Sequence, residues 1–160
     1  MIKFLFKGKR IDNDEWVEGY YVNCVDPNDT ASDVKTTKHF IVEYPNKFHE
    51  VYTSTICVYI GLDKDKRKIF TGDIFEFDDE IWESSCSENG WEMDSFKARN
   101  RAVIGYDPDE AQFDFIAYQY RDSQLDTDIH ENHDKTFAEA LYEATYIGNI
   151  FDDPEKVEEI

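Results

Sequence analysis

The chain has 160 residues, with 17 Lys+Arg against 36 Asp+Glu and a formal net charge of −19. That length suits one ordinary domain, and its 12 Phe, 10 Tyr and 3 Trp are far more aromatics than a disordered acidic chain carries. Composition also excludes collagen, coiled coil and a disulfide scaffold, and no stretch approaches the ~18 apolar residues of a membrane helix.

The first elements along the chain read as strands. Ile2, Phe4 and Phe6 alternate with Lys3, Leu5 and Lys7, a strand pattern that lacks the apolar core of a signal peptide. Residues 15–22 are rich in aromatic and branched side chains. Asp12-Asn13-Asp14 between them supplies turn chemistry, so residues 2–22 are expected to form a hairpin. A polar loop is expected at 26–35. His39–Tyr44, Phe48–Thr53 and Thr55–Ile60 follow as short β-prone runs, with Pro45-Asn46 turning the first into the second. Gly61 to Lys68 reads as a tight connection, and Ile74–Phe77 as another strand.

From Asp73 to Asp94 there are nine acids and no Lys or Arg, together with Ser84, Ser85, Ser87 and Gly90. This predicts a mobile acidic excursion at 78–100 inside a single domain spanning 1–160. Arg101–Tyr106 and Ala111–Tyr120 predict a hairpin around Asp107-Pro108-Asp109. The second strand is apolar on both faces, with Phe113 and Phe115 on one and Ile116 and Tyr118 on the other, so it is expected to be central in its sheet or covered on both sides. One helix is expected at 136–144: Thr136 and Glu139 fit a capping box, and Phe137, Leu141 and Ala144 recur at helical spacing. Residues 145–151 return to β, and Asp153-Pro154 opens a short terminal turn. The fold class is α+β and mainly β: short antiparallel strands in a small barrel-like or two-lobed sheet, with one helix near the C-terminus.

Three segments then stand out: Lys7-Gly8-Lys9-Arg10 followed by Trp16-Val17-Glu18-Gly19-Tyr20; Tyr59-Ile60-Gly61-Leu62-Asp63 followed by Gly72-Asp73-Ile74; and Ile147-Gly148-Asn149-Ile150 with Pro154 beyond. In order and spacing they resemble the YopX family of phage and prophage proteins. The sequence departs from the family pattern at Ile60, where the family has Thr, at Arg67, where it has a turn glycine, and at Asp14, where Gly is common. The resemblance implies a small, mainly β protein from a phage or prophage genome and supplies no catalytic set. Trp16, Gly19, Gly61, Leu62, Gly72, Asp73, Gly148 and Asn149 are therefore read as structural motif residues, with Gly providing positive φ or close backbone approach and Asp or Asn satisfying turns.

The sharpest chemical cluster is Asp126, Asp128, His130, Glu131, His133 and Asp134. Carboxylate and imidazole together suit a divalent transition metal, so Asp126, Asp128, His130 and His133 are candidate ligands for a metal-dependent hydrolase. The spacing argues against it, since His130 and His133 are three apart and not the four of H-E-x-x-H. The three cysteines form no C-x-x-C pair, which removes zinc-ribbon and thioredoxin chemistry and fits a reducing cytoplasm. No catalytic residue and no cofactor is assigned. The charge disfavours nucleic-acid binding and favours a protein partner of basic character. An acidic DNA mimic is a further alternative. The expected role is a non-catalytic interaction module in the bacterial host cytoplasm, without membrane association, that forms a homo-oligomer because 25 aromatics exceed what one small core readily hides.

Overall fold

The computed structural model describes residues 5–25, 37–87, 90–120 and 136–156. The chain divides into two compact units, one of Met1–Gly61 with Lys68–Phe70, the other of Leu62–Arg67 with Thr71–Ile160. Each holds one antiparallel sheet, and neither sheet closes into a barrel.

In the first unit β1 (Phe6–Lys9) and β2 (Trp16–Val25) make the expected hairpin. Its turn works as its residues dictate. Asp14 takes φ +58°, the left-handed value that explains why glycine suits this position, and Arg10 binds Asp12 through two hydrogen bonds. That pairing holds the Asp12 carboxyl below its usual pKa. β3 (Thr37–Glu43), β4 (Lys47–Glu50), β5 (Cys57–Leu62) and β6 (Lys68–Phe70) complete a sheet of order β4-β3-β2-β1-β5-β6. A bridge between Arg10 and Val51 curls β4 back towards the end of β1. Val17, Ile41 and Val51 fill the inside of the curl, with Phe6, Tyr21 and Ile56 packed on them.

The second unit is built on β7 (Asp73–Ser87) and β8 (Gly90–Asp107), flanked by β9 (Gln112–Tyr120) and β10 (Thr145–Asn149) in the order β10-β7-β8-β9. The segment 78–100, expected as an excursion, falls on the paired arms of β7 and β8, whose register runs from Ile74 opposite Val103 to Ser87 opposite Gly90. β9 corrects the expectation of a central strand: it is the edge of its sheet. On its outer side Ile116 sits at a register shift and is 56% exposed. Helix α1 (Phe137–Glu143) starts at the Thr136–Glu139 capping box and packs on β7. Phe137 meets Phe115 edge-on at 4.9 Å between ring centroids, and Phe115 stacks on Phe77 at 5.0 Å. Lys64 donates to the Glu143 carbonyl at the helix end, where a cation is favoured.

Asn100 lies fully buried on the face that also carries Phe77, opposite it in register. Among the described residues neither its Nδ2 nor its Oδ1 meets a hydrogen-bond partner. A buried amide left unpaired costs about 1–3 kcal/mol, so Asn100→Leu is expected to raise stability by about 1 kcal/mol after some strain from the larger side chain. Urea unfolding measures this, and a clear loss of stability would show that the amide is in use.

Candidate functional site

One arrangement stands out in each unit, and the singled-out residues meet in the second. In the second unit Gly72-Asp73 and Gly148-Asn149 meet at the end of β7 and β10, where Asn149 lies opposite Asp73 in register. Gly72 takes φ +83°; its N–H donates to the Ile104 carbonyl at 2.8 Å, and its carbonyl accepts from Ile150 N–H at 2.9 Å. Asp73 and Asn149 are buried, and Asn149 Nδ2 donates to Asp73 Oδ1 at 2.8 Å. Asn149 Oδ1 accepts from Phe151 N–H at 3.0 Å, and the Asn149 carbonyl accepts from Asp152 and Asp153. Asp153 returns a carboxylate oxygen to Asn149 N–H at 3.2 Å, and its other oxygen takes Lys156 Nζ at 2.9 Å. Lys156 also donates to the Ile147 carbonyl at 2.6 Å. The result is a fastening that ties the last turn of the chain to the start of β7.

Charge tunes this fastening. The Lys156 hydrogen bond, helped by Asn149 N–H, holds the Asp153 carboxyl below its ordinary pKa. A lowered folded-state pKa gives stability that is present above the unfolded value, ~3.9, and is lost as pH falls through the folded one. The wild type should therefore lose more stability than Asp153→Asn as pH drops from about 5 to about 2. Parallel acid titration curves for the two in thermal unfolding would contradict this. Tyr146, beside the fastening, has its phenol pKa raised by burial and by Asp73, while Arg67 stacks over its ring at 4.3 Å and opposes the shift.

In the first unit the outer side of the curled sheet carries the second arrangement. Strand alternation puts Tyr20 and Val22 of β2, Phe40 and Val42 of β3 and Phe48 of β4 on this side, with Val42 opposite both Tyr20 and Phe48 and Phe40 opposite Val22. Phe48 is 61% exposed and Tyr20 50%, with Phe40 and Val42 half-buried between them. Phe40 and Phe48 meet edge-on at 6.3 Å. Lys7 and Lys9 lie 4.9 and 5.5 Å from the centroid of the Trp16 ring on the same side, and Lys68 pairs with Glu18. Beyond Phe48 a cleft of about 220 Å³ opens, lined by Arg10, Ile11, Asp12, Phe48, His49 and Glu50.

A family model described as YopX protein matches residues 5–158. The chain belongs to the YopX family. No curated protein and no solved structure matches it. Membership suggests a phage-type protein.

The geometry gives the YopX motif residues distinct physical jobs. Gly72 is the positive-φ position and Gly148 the close approach: a Cβ there would stand 2.9 Å from Asp153 Cγ and 3.0 Å from Lys156 Nζ. Gly19 is the same case on β2, against the backbone of Val42. Gly61 does neither job. It lies within β5 with nothing in reach of a Cβ, and the adjoining Leu62 is 56% exposed. The left-handed residue of the turn after Leu62 is Lys66, at φ +62°, one position before Arg67; Asp63 Oδ1 closes that turn by accepting from Asp65 and Arg67 N–H.

The candidate ligands Asp126, Asp128, His130 and His133 lie outside the described residues. Among the described residues no group of three or more His, Cys, Asp or Glu is placed to hold a metal ion, and no helix is long and apolar enough to cross a membrane. Cys57 is buried and donates to the Thr55 carbonyl, whereas Cys24 is exposed. Sequence reading passed over Asp153, Lys156 and the outer face. The signal for the first two lies in Asp153-Pro154, whose acid both starts a helical turn and anchors Asn149. The face was visible in the apolar residues at Tyr20, Val22, Phe40 and Val42, which match the inward set of the same strands in hydrophobicity.

Proposed function

We propose that this YopX protein is a non-catalytic interaction module that works in the bacterial host cytoplasm and binds a host or phage protein through the outer face of β2, β3 and β4. One observation carries the reading: Tyr20 of β2 and Phe48 of β4 stand exposed on either side of Val42 of β3, with Phe40 on the same face. Single exposed apolar residues are ordinary, but a contiguous aromatic group on a rigid element marks a contact surface. The fastening at Asp73 and Asn149 supports the same reading from the other side, because its carboxylates and amide are engaged with one another, with Lys156 and with backbone groups. Affinity capture from host lysate, compared between wild type and a Tyr20→Ser/Phe48→Ser double variant of unchanged melting temperature, tests it. The wild type is expected to retain a protein that the double variant loses. Equal recovery would remove this face from the reading.

A further inference from the structure

The paired arms of β7 and β8 outrun the strands beside them. β10 leaves β7 at Glu76, and β9 leaves β8 at Asn100. Beyond that point 78–87 pairs with 90–99, and among the described residues no further strand flanks the pair. At about 3.4 Å per residue this two-stranded arm is roughly 30 Å long. A two-stranded ribbon by itself is marginally stable in water, and an open strand edge is a template for another strand.

Register sorts the arm into two unlike faces. Strand alternation puts Trp82, Ser84 and Cys86 on one face, opposite Ser95, Met93 and Trp91. The other face carries Ile81, Glu83 and Ser85, opposite Phe96, Asp94 and Glu92. The cations Lys97, Arg99 and Arg101 all fall on the first face near the base of the arm, opposite Glu80, Asp78 and Glu76. Farther out there are none, since residues 81–96 hold no Lys or Arg. The second face therefore sets Glu83 directly opposite Asp94, and like charges so placed destabilise a strand pair.

A third strand added at an edge of the arm extends both faces, because its residues alternate with the same period. Complementarity then asks for apolar residues on the Trp82 face and cations on the Glu83 face. The two longer stretches outside the described residues do not supply them: 26–36 holds three acids and one cation, 121–135 five acids and two cations. A second copy brings the same acids against its own kind. We propose that the arm takes an extended segment of a partner protein, alternating apolar residues with Lys or Arg, as a third strand. Main-chain hydrogen bonds hold the segment, the aromatic face receives its apolar residues, and the acids admit basic residues and reject acidic ones. This contact belongs to the second unit and stands apart from the outer face of β2, β3 and β4.

Calorimetric titration of the full chain with synthetic peptides of the arm's length tests the proposal. A peptide alternating Arg with Val is expected to bind saturably, and one alternating Glu with Val is not. A shuffled Arg/Val peptide of the same composition should bind about tenfold more weakly, because it cannot present one residue type to each face. Trp82→Ser should weaken the alternating peptide about tenfold, as truncation of a central aromatic does. The Glu83→Gln/Asp94→Asn double variant should weaken it too, and it relieves the like-charge opposition within the arm, so its loss is not one of folding. Tyr142→Ser, at an exposed position of α1, should leave binding unchanged. In a Trp16→Phe background fluorescence reports Trp82 and Trp91 alone, since the chain has three Trp, and it should move to the blue as the alternating Arg/Val peptide is added. Blue emission without the peptide, unchanged by it, means that this chain already covers the arm and overturns the proposal. Equal binding of the alternating and shuffled peptides, or no binding of either, overturns it as well.

Discussion

Asn149→Ala is expected to destabilise the second unit by about 3 kcal/mol, the sum of one hydrogen bond to a charged group and one buried backbone donor left unpaired. The side chain of Asn149 is almost wholly buried and works at both ends, with Nδ2 on Asp73 and Oδ1 on Phe151 N–H. Alanine keeps the strand but deletes both bonds. It also takes a donor away from a buried carboxylate, which is the more damaging half, because burial of a charge is tolerated in proportion to the hydrogen bonds that solvate it. Asn149→Asp shares the shape and should be at least as harmful, since it places a second carboxylate against Asp73 at neutral pH. The pair of variants separates packing from charge. If Asn149→Asp recovers stability on acidification while Asn149→Ala does not, repulsion with Asp73 is the cause. Denaturant unfolding with equal m-values would establish the sizes, and a loss below about 1 kcal/mol for Asn149→Ala would mean that solvent replaces the lost bonds.

Much of this architecture was legible because it rests on local chemistry. Asp107-Pro108-Asp109 announced a turn, and Asp107 Oδ1 accepts from Asp109 and Glu110 N–H there. Thr136 and Glu139 announced the start of α1, and the reciprocal capping bonds are present. The Gly-Asp and Gly-Asn pairs announce backbone features, but that they fasten to each other is a contact across 76 positions that no local pattern displays.

The acidic run from Asp73 to Asp94 shows what strand register adds to the sequence. Read along one dimension, nine acids without a cation describe a chain that repels itself. The sheet adds a second dimension. Register sets Glu76 opposite Arg101, Asp78 opposite Arg99 and Glu80 opposite Lys97, and Arg99 lies 3.4 Å from Glu76 and 3.6 Å from Asp78. The compensating charges sit about twenty residues later, on the neighbouring strand. β9 failed for the complementary reason. Apolar residues on both sides of a strand imply two covered faces only when each side chain points where strict alternation sends it, and the register shift at Ile116 breaks the alternation.

Gly19→Ala is expected to destabilise the first unit by about 3 kcal/mol, at the upper end of what a forced insertion into a packed sheet costs. Gly19 sits in β2 between Val17 and Tyr21, on the inner side of the curl, and its φ is not left-handed, so the demand for glycine here is one of space. A Cβ would press into the Val42 carbonyl oxygen and stand 2.7 Å from its carbon and 3.1 Å from Ile41 Cγ2. The obstacle is backbone, held in the β2–β3 ladder by the pairing of Tyr20 with Val42. A flexible side chain rotates away from such a clash; a laddered carbonyl moves only if the ladder opens. Gly61→Ala provides the contrast inside the same family motif set, because a Cβ at Gly61 meets nothing within 4 Å. Alanine there removes the entropy cost of a strand glycine and should be neutral or stabilising by up to about 1 kcal/mol. Thermal unfolding of the two variants is therefore expected to diverge, with Gly19→Ala melting far below the wild type and Gly61→Ala at or slightly above it. Equal melting temperatures would mean that β2 and β3 yield at little cost, and the rigid outer face that Tyr20 and Val42 share would lose its physical basis.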